Sequence, residues 1–126
     1  MPLEVELVAA EREVWSGEAE VVLARTTDGE LGILPGHAPV LGVLSNGVVM
    51  IRDSSGQETL AAVLGGFLSV ADDRVSILAE TAELSHEIDV SAAQRDLADA
   101  TGTRESGEEA AQVRSRAEAR LRAAGH

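Results

Sequence analysis

Hydrophobic periodicity changes once along this chain, near residue 85, and that change constrains the fold more than any other feature. Before it, apolar residues recur at every second position. Leu3, Val5, Leu7 and Ala9 alternate with Glu4, Glu6 and Val8, the spacing of a strand with one buried face. Further β-rich runs cover Glu18–Thr27 (EAEVVLARTT), Gly47–Arg52 (GVVMIR), Gln57–Leu64 and Arg74–Glu80. Turn residues separate several of them, at Ser45-Asn46-Gly47, Ser54-Ser55-Gly56 and Asp72-Asp73. Short strands punctuated this way predict a sandwich or barrel. From Asp89 onward the only β-branched apolar residues are Val90 and Val113. Val90, Ala93, Leu97 and Ala100 lie on one helical face, and Ala110, Val113, Ala117, Leu121 and Ala124 form a second stripe. Thr101–Gly107 (TGTRESG) interrupts the pattern. Asp89 suits an N-cap, with Ser91 and Gln94 as a competing capping box. Two short helices joined in this way predict an antiparallel hairpin, and neither is long enough to be stable alone in water. The expected fold is therefore mainly β plus α, with a β-sandwich domain over residues 1–84 and a C-terminal helical hairpin domain over residues 85–126.

Charge and composition remove several function classes. Of 126 residues, 10 are Arg, none is Lys and 22 are acidic, for a formal net charge of −12. A chain this acidic repels phosphate backbones, so nucleic acid is not an expected partner. Without Lys there is no phosphate-gripping P-loop lysine and no Schiff base. Without Cys there is no disulfide, thiolate nucleophile or Cys-based metal site. The start, MPLEVELVAAERE, lacks the basic residues and apolar run of a secretory signal. No window is long and apolar enough to span a bilayer, so membrane association is expected through partners and not by direct insertion.

The stretch GELGILPGHAPVLG, Gly29–Gly42, mixes turn formers with core-forming residues. Its glycines at 29, 32 and 36 fit neither the dinucleotide fingerprint nor the P-loop spacing. Asp28-Gly29 and Pro35-Gly36 read as turns, and Pro39 bars a central-strand position. His37, His86 and His126 share no metal-ligand spacing, so no metal site is expected. Ser45, Ser54, Ser55 and Ser69 lack a nucleophile-elbow context, and nothing points to a catalytic residue. The end of the chain is basic: residues 113–126 carry Arg114, Arg116, Arg120 and Arg122 against Glu118 alone. With Val113, Ala117 and Leu121 free to pack on the first helix, all four cations are expected to point outward.

Several segments together resemble the epsilon subunit of bacterial F-type ATP synthase. The segment Asp28–Pro39 (DGELGILPGHAP) is similar to the hallmark of that family. Gly65–Val70 (GGFLSV) and Val75–Glu83 (VSILAETAE) match its next two blocks. Glu87-Ile88-Asp89 matches the junction where its helical domain begins, and Trp15-Ser16-Gly17 its aromatic-Ser-Gly turn.

The resemblance implies an N-terminal sandwich of about ten strands and a C-terminal helical hairpin. It implies a non-catalytic subunit of the rotating central stalk that couples proton transport to ATP synthesis and restrains ATP hydrolysis. The implied partners are the gamma subunit, the ring of membrane c subunits and the catalytic head. The implied location is peripheral, at the cytoplasmic face of the cell membrane. Loops in the Pro/Gly/His stretch would face the ring, with Glu30 and His37 near its polar loops. Ser55 and Asp73, in hairpin turns, would face elsewhere. Apolar surface on one sandwich face would seat gamma, and Arg114, Arg116, Arg120 and Arg122 would meet an acidic loop of the head. Some members bind ATP through Ile/Leu-Asp-x-x-Arg-Ala. Here Ile88, Asp89 and Ala93 keep that motif, but Ala92 stands in place of the Arg. The alternative reading, an ATP-sensing module, therefore lacks its guanidinium contact, and no cofactor is expected.

Overall fold

A computed structural model of the chain describes residues 2–102 and 107–125, with side chains for all of these except Thr101 and Gly102. Eight strands come first: β1 (Leu3–Ala9), β2 (Arg12–Ala19), β3 (Val21–Thr26), β4 (Gly29–Ile33), β5 (Val40–Val43), β6 (Gly47–Arg52), β7 (Glu58–Ala71) and β8 (Arg74–Leu84). A single 3-10 turn, Ser85–Glu87, leads to α1 (Val90–Gly102) and α2 (Glu108–Ala123). Most of the expected interruption at Thr101–Gly107 lies outside the described residues, as does His126.

The strand count differs from the expected ten because β7 and β8 each serve two sheets. The C-terminal half of β7 pairs with β5, and the N-terminal half of β8 pairs in parallel with β1, which in turn pairs with β2. These make the first sheet. The N-terminal half of β7 pairs with β6, which continues through β3 to β4. That set, with the end of β8, makes the second. β7 and β8 stay paired from Ala61↔Leu84 to Ala71↔Arg74.

The crossing from one sheet to the other occurs at Gly65 and Gly66, where φ is +72° and +115°. Positive φ is cheap only for glycine. A Cβ on Gly66 would stand 2.0 Å from the Leu78 carbonyl oxygen, so the two backbones approach too closely for any side chain. Facing alternation reverses across this point. Ala61 and Val63 enter the core before it, and Leu68 and Val70 after it. On β8 the core residues change from Val75, Ile77 and Ala79 to Ala82. One apolar cluster between the sheets joins Leu3, Val5, Leu7, Val22, Ile33, Val49, Ile51, Leu68 and Ile77, all essentially buried.

Half of the Gly29–Gly42 stretch is strand, not loop. Gly29–Ile33 is the edge strand β4, and Val40–Val43 is β5. Two glycines in β4 weaken its propensity, which tertiary pairing with β3 overrides. Only Leu34–Pro39 is loop, and β5 begins directly after Pro39. The run Glu18–Thr27 is not one strand either: it divides at Glu20 between β2 and β3.

α2 packs on α1 and also on β6 and β7. The hairpin therefore lies folded against the outer face of the second sheet. Ala117, Ala119 and Ala123 are buried along α2, while Val113 is 40% exposed. Ala123 meets Ala62 of β7 and Ile88 of the connecting segment, flanked by Val48.

Candidate functional site

Three surfaces carry the candidate residues. The first is the outer face of the first sheet. Register places Val8 opposite Leu78, Leu78 opposite Phe67, and Phe67 opposite Val43, a single row across β1, β8, β7 and β5. Directly opposed residues on adjacent strands sit about 5 Å apart, so the row runs for about 14 Å. Leu78 is 50% exposed, Phe67 55% and Val43 49%. Leu41, two residues along β5, extends the apolar surface. Val8, Ala9, Ala10, Gly65 and Glu80 complete a shallow depression beneath the row. An apolar row of this length on an acidic protein marks an interaction site. Sequence reading foresees apolar surface on one face but not these residues. The alternation in Gly65–Val70 puts Phe67 and Ser69 on one face and Leu68 and Val70 on the other, without saying which faces the core.

The second surface is the Leu34–Pro39 loop. The Gly36 amide donates to Asp73 Oδ1 at 2.7 Å, and the His37 amide to the Leu34 carbonyl at 3.1 Å. His37 Nδ1 lies 2.7 Å from the Ala38 carbonyl oxygen, a contact that needs the proton on Nδ1. His37 is exposed. Asp73, expected to face elsewhere, is thus the loop's own anchor, from a β7–β8 turn whose two residues both have positive φ. Glu30 has different neighbours. It lies in β4 opposite Arg25, beside a cleft shared with Val48, Met50 and Arg122. No hydrogen bond or ion pair joins Glu30 to His37 among the described residues.

The third surface is the hairpin and its junction. Only two of the four tail arginines are exposed, Arg114 and Arg122, and Arg122 borders the cleft it shares with Glu30. Arg120 Nε donates to Glu83 Oε1 at 2.6 Å, both side chains about three-quarters covered, and Arg116 Nη2 lies 3.6 Å from Glu80 Oε2. The reason is that α2 docks on the sheet as well as on α1, so its flank meets the acidic edge of β8. Asn46, in the β5–β6 turn, adds hydrogen bonds to Gln112 and Ser115, each 3.1 Å.

At the junction, Arg12 donates to Glu87 Oε1 at 2.7 Å, and the same oxygen accepts from the Leu84 amide at 2.9 Å. The bond from Arg12 holds the Glu87 carboxyl below the usual carboxylate range. Asp89 caps α1: its Oδ1 accepts from the Ala92 amide at 3.0 Å. The competing Ser91 cap is not used. Ile88 and Ala93 are buried and Ala92 is half-buried. Ile88, Asp89 and Ala93 therefore have structural roles in starting and seating the helix. No three metal-ligating side chains converge among the described residues.

The geometry defines a class: a β-sandwich bearing a docked helical hairpin, with one bare apolar face and an edge loop, built to sit between other chains. A family model described as the beta-sandwich domain of the ATP synthase delta/epsilon chain matches residues 2–85. Relatives match over nearly the whole chain. The ATP synthase epsilon chain of Streptomyces avermitilis is 54% identical over 121 residues, covering 96% of this chain and 94% of that one. Its counterpart from Streptomyces coelicolor is 57% identical over 122 residues, with 97% and 94% covered. That of Corynebacterium efficiens is 49% identical over 120 residues, with 94% and 90% covered. The chain belongs to the ATP synthase epsilon chain family, a non-catalytic subunit of that complex.

Among solved structures, a chain of the Euglena gracilis mitochondrial ATP synthase OSCP/F1/c-ring assembly superposes with a TM-score of 0.75 at 26% identity, covering 95% of this chain and 75% of that one. A chain of the Tetrahymena thermophila central stalk and c-ring shares the fold, with a TM-score of 0.68 at 23% identity, 98% and 97% being covered. No helix among the described residues is long and apolar enough to cross a membrane.

Proposed function

We propose that this chain is the rotor-stalk subunit that links the gamma chain to the membrane ring and restrains ATP hydrolysis through its hairpin, from a peripheral position at the cytoplasmic face of the membrane. The observation that carries this reading is the bare row Val8–Leu78–Phe67–Val43. It is the seat for gamma. The Leu34–Pro39 loop, anchored to Asp73, bears His37 toward the polar loops of the ring, with Glu30 as a second contact. Arg114 and Arg122 are the cations free to meet an acidic surface of the catalytic head. Nucleotide sensing is the weaker reading, because the Asp89 carboxylate already caps α1 and Ala92 offers no cation. A calorimetric titration with ATP tests it directly.

The seat is tested by pull-down and affinity measurement with the gamma subunit. Apolar contact is not screened, so the complex survives molar salt, where the Debye length falls to about 3 Å. Phe67→Ser with Leu78→Ser weakens binding by about 2–4 kcal/mol, the range of interface hot spots. Salt-stripping of the unmodified chain, or unchanged affinity of the double variant, overturns the assignment. For the ring, cysteine at His37 is expected to cross-link to the c-subunit loops more readily than cysteine at Ser55. Cysteine at Asp73 belongs with the loop and is no control.

A further inference from the structure

One residue belongs to two of these surfaces. Glu80 lines the depression beneath the apolar row and also faces Arg116 of α2. It sits where β8 passes from one sheet to the other, beside Gly65, whose missing side chain leaves room for its carboxylate: a Cβ there would stand 3.0 Å from Glu80 Cδ and Oε2. The pair is poised and not closed. Arg116 Nη2 is 3.6 Å from Glu80 Oε2, beyond hydrogen-bond length, and Arg116 Nε is buried without an acceptor. The neighbouring pair, Arg120 with Glu83, is closed at 2.6 Å. A buried guanidinium N–H without a partner is costly. A shift of Glu80 toward α2 by less than about 1 Å would bring Oε2 within hydrogen-bond reach of Nη2, on the side of the guanidinium where Nη2 and Nε together offer the bidentate geometry that Arg favours.

We propose that Glu80 couples the apolar seat to the hairpin: an occupant of the row presses on the exposed Glu80, closes it onto Arg116, and holds α2 more firmly on the sandwich. This rests on the reading of the row as a partner's seat. The direction follows from two facts. Glu80 is 67% exposed, so an occupant of the depression meets it. Covering the pair also removes water that screens it, which strengthens attraction between charges already near each other. By linkage the effect is reciprocal: whatever closes the pair from the hairpin side tightens the seat by the same factor.

The test is hydrogen exchange of the α2 amides, Glu108–Ala123, in the full chain alone and in its binary complex with the gamma subunit. In the unmodified chain, binding is expected to slow exchange by up to about fivefold, the scale of one ion pair. Glu80→Gln and Arg116→Gln are expected to keep gamma bound, with affinity lowered by the same factor, and to lose the slowing. Glu83→Gln speeds α2 exchange in both states and leaves the ratio between them intact. If gamma binding leaves α2 exchange unchanged, or slows it equally in the Glu80→Gln chain, the coupling is wrong while the seat stands. If Phe67→Ser with Leu78→Ser binds gamma like the unmodified chain, the seat itself is wrong.

Discussion

The two outer faces of the sandwich both carry apolar residues and end in opposite states. On the second sheet, Ala62 and Val48 face outward and are covered by α2. On the first, Val43, Phe67 and Leu78 face outward and stay half exposed. The same two strands, β7 and β8, contribute to both. The covered face carries small residues that let a helix backbone approach closely, with Ala117, Ala119 and Ala123 meeting it. The bare face carries large ones, which protrude and offer more apolar area per residue. Small residues against small residues bury little, so the hairpin is held as much by Arg120–Glu83 and Asn46 as by apolar contact. One face closes on the chain's own hairpin, and the other stays bare.

The largest expected effect removes the device that makes both faces. Gly66→Ala puts a methyl group into the Leu78 backbone at a positive φ. It is expected to cost more than about 4 kcal/mol or prevent folding. Gly36→Ala, also at positive φ but with nothing within 4 Å, is expected to cost only about 1–2 kcal/mol of backbone strain. Urea unfolding of the two variants decides this. Equal midpoints would mean that the strand crossing is not held by close approach.

Next in size is a contrast between neighbours on β7. Leu68 is fully buried and Phe67 is 55% exposed. Leu68→Ala is expected to destabilise the isolated chain by about 2–5 kcal/mol, and Phe67→Ala by less than about 1 kcal/mol. If Phe67→Ala costs as much as Leu68→Ala, the row is part of the core and not a seat.

A smaller effect separates the tail arginines. Arg120→Ala is expected to loosen α2 by about 1 kcal/mol in hydrogen exchange, and Arg114→Ala by no more than about 0.5 kcal/mol. In the assembled synthase, Arg114→Ala with Arg122→Ala is expected to raise ATP hydrolysis at low salt while leaving α2 docked. Arg116→Ala with Arg120→Ala undocks it. Identical hydrolysis by both double variants and the unmodified enzyme would reduce all four to structural or solvated charge.

The smallest effect is a pH dependence at the junction. The Glu87 carboxyl is held low by Arg12. Its contribution is therefore complete above the unfolded carboxylate pKa of about 4.3 and is lost as the pH falls through the lower folded value. Glu87→Gln is expected to lower the urea midpoint slightly at pH 7, with the difference shrinking in acid. A difference that persists at pH 2 would show that Glu87 acts through shape and not charge.

Much of this was legible in the residues themselves. Alternation in Leu3–Ala9 placed its core face correctly, since Leu3, Val5 and Leu7 are buried. Asp89 announced its helix, because a cap is a local bond between a side chain and an amide three residues on. The Asp28–Pro39 hallmark and the blocks after it pointed to the family. Strand β4 was hidden in that same hallmark and β5 just after it, because glycine and proline weaken local propensity and only pairing with β3 and β7 restores it. The bare row was hidden for a related reason: alternation tells two faces apart but does not name the one that meets the core. Arg116 and Arg120 were read as outward because helical spacing gives the angle around an axis and not what the axis lies against. Sequence by itself determined the periods, the caps, the charge and the kinship of this chain. Tertiary structure decided which face is covered, which cations are engaged, and that Glu80 stands between two surfaces, because each depends on contacts between residues far apart along the chain.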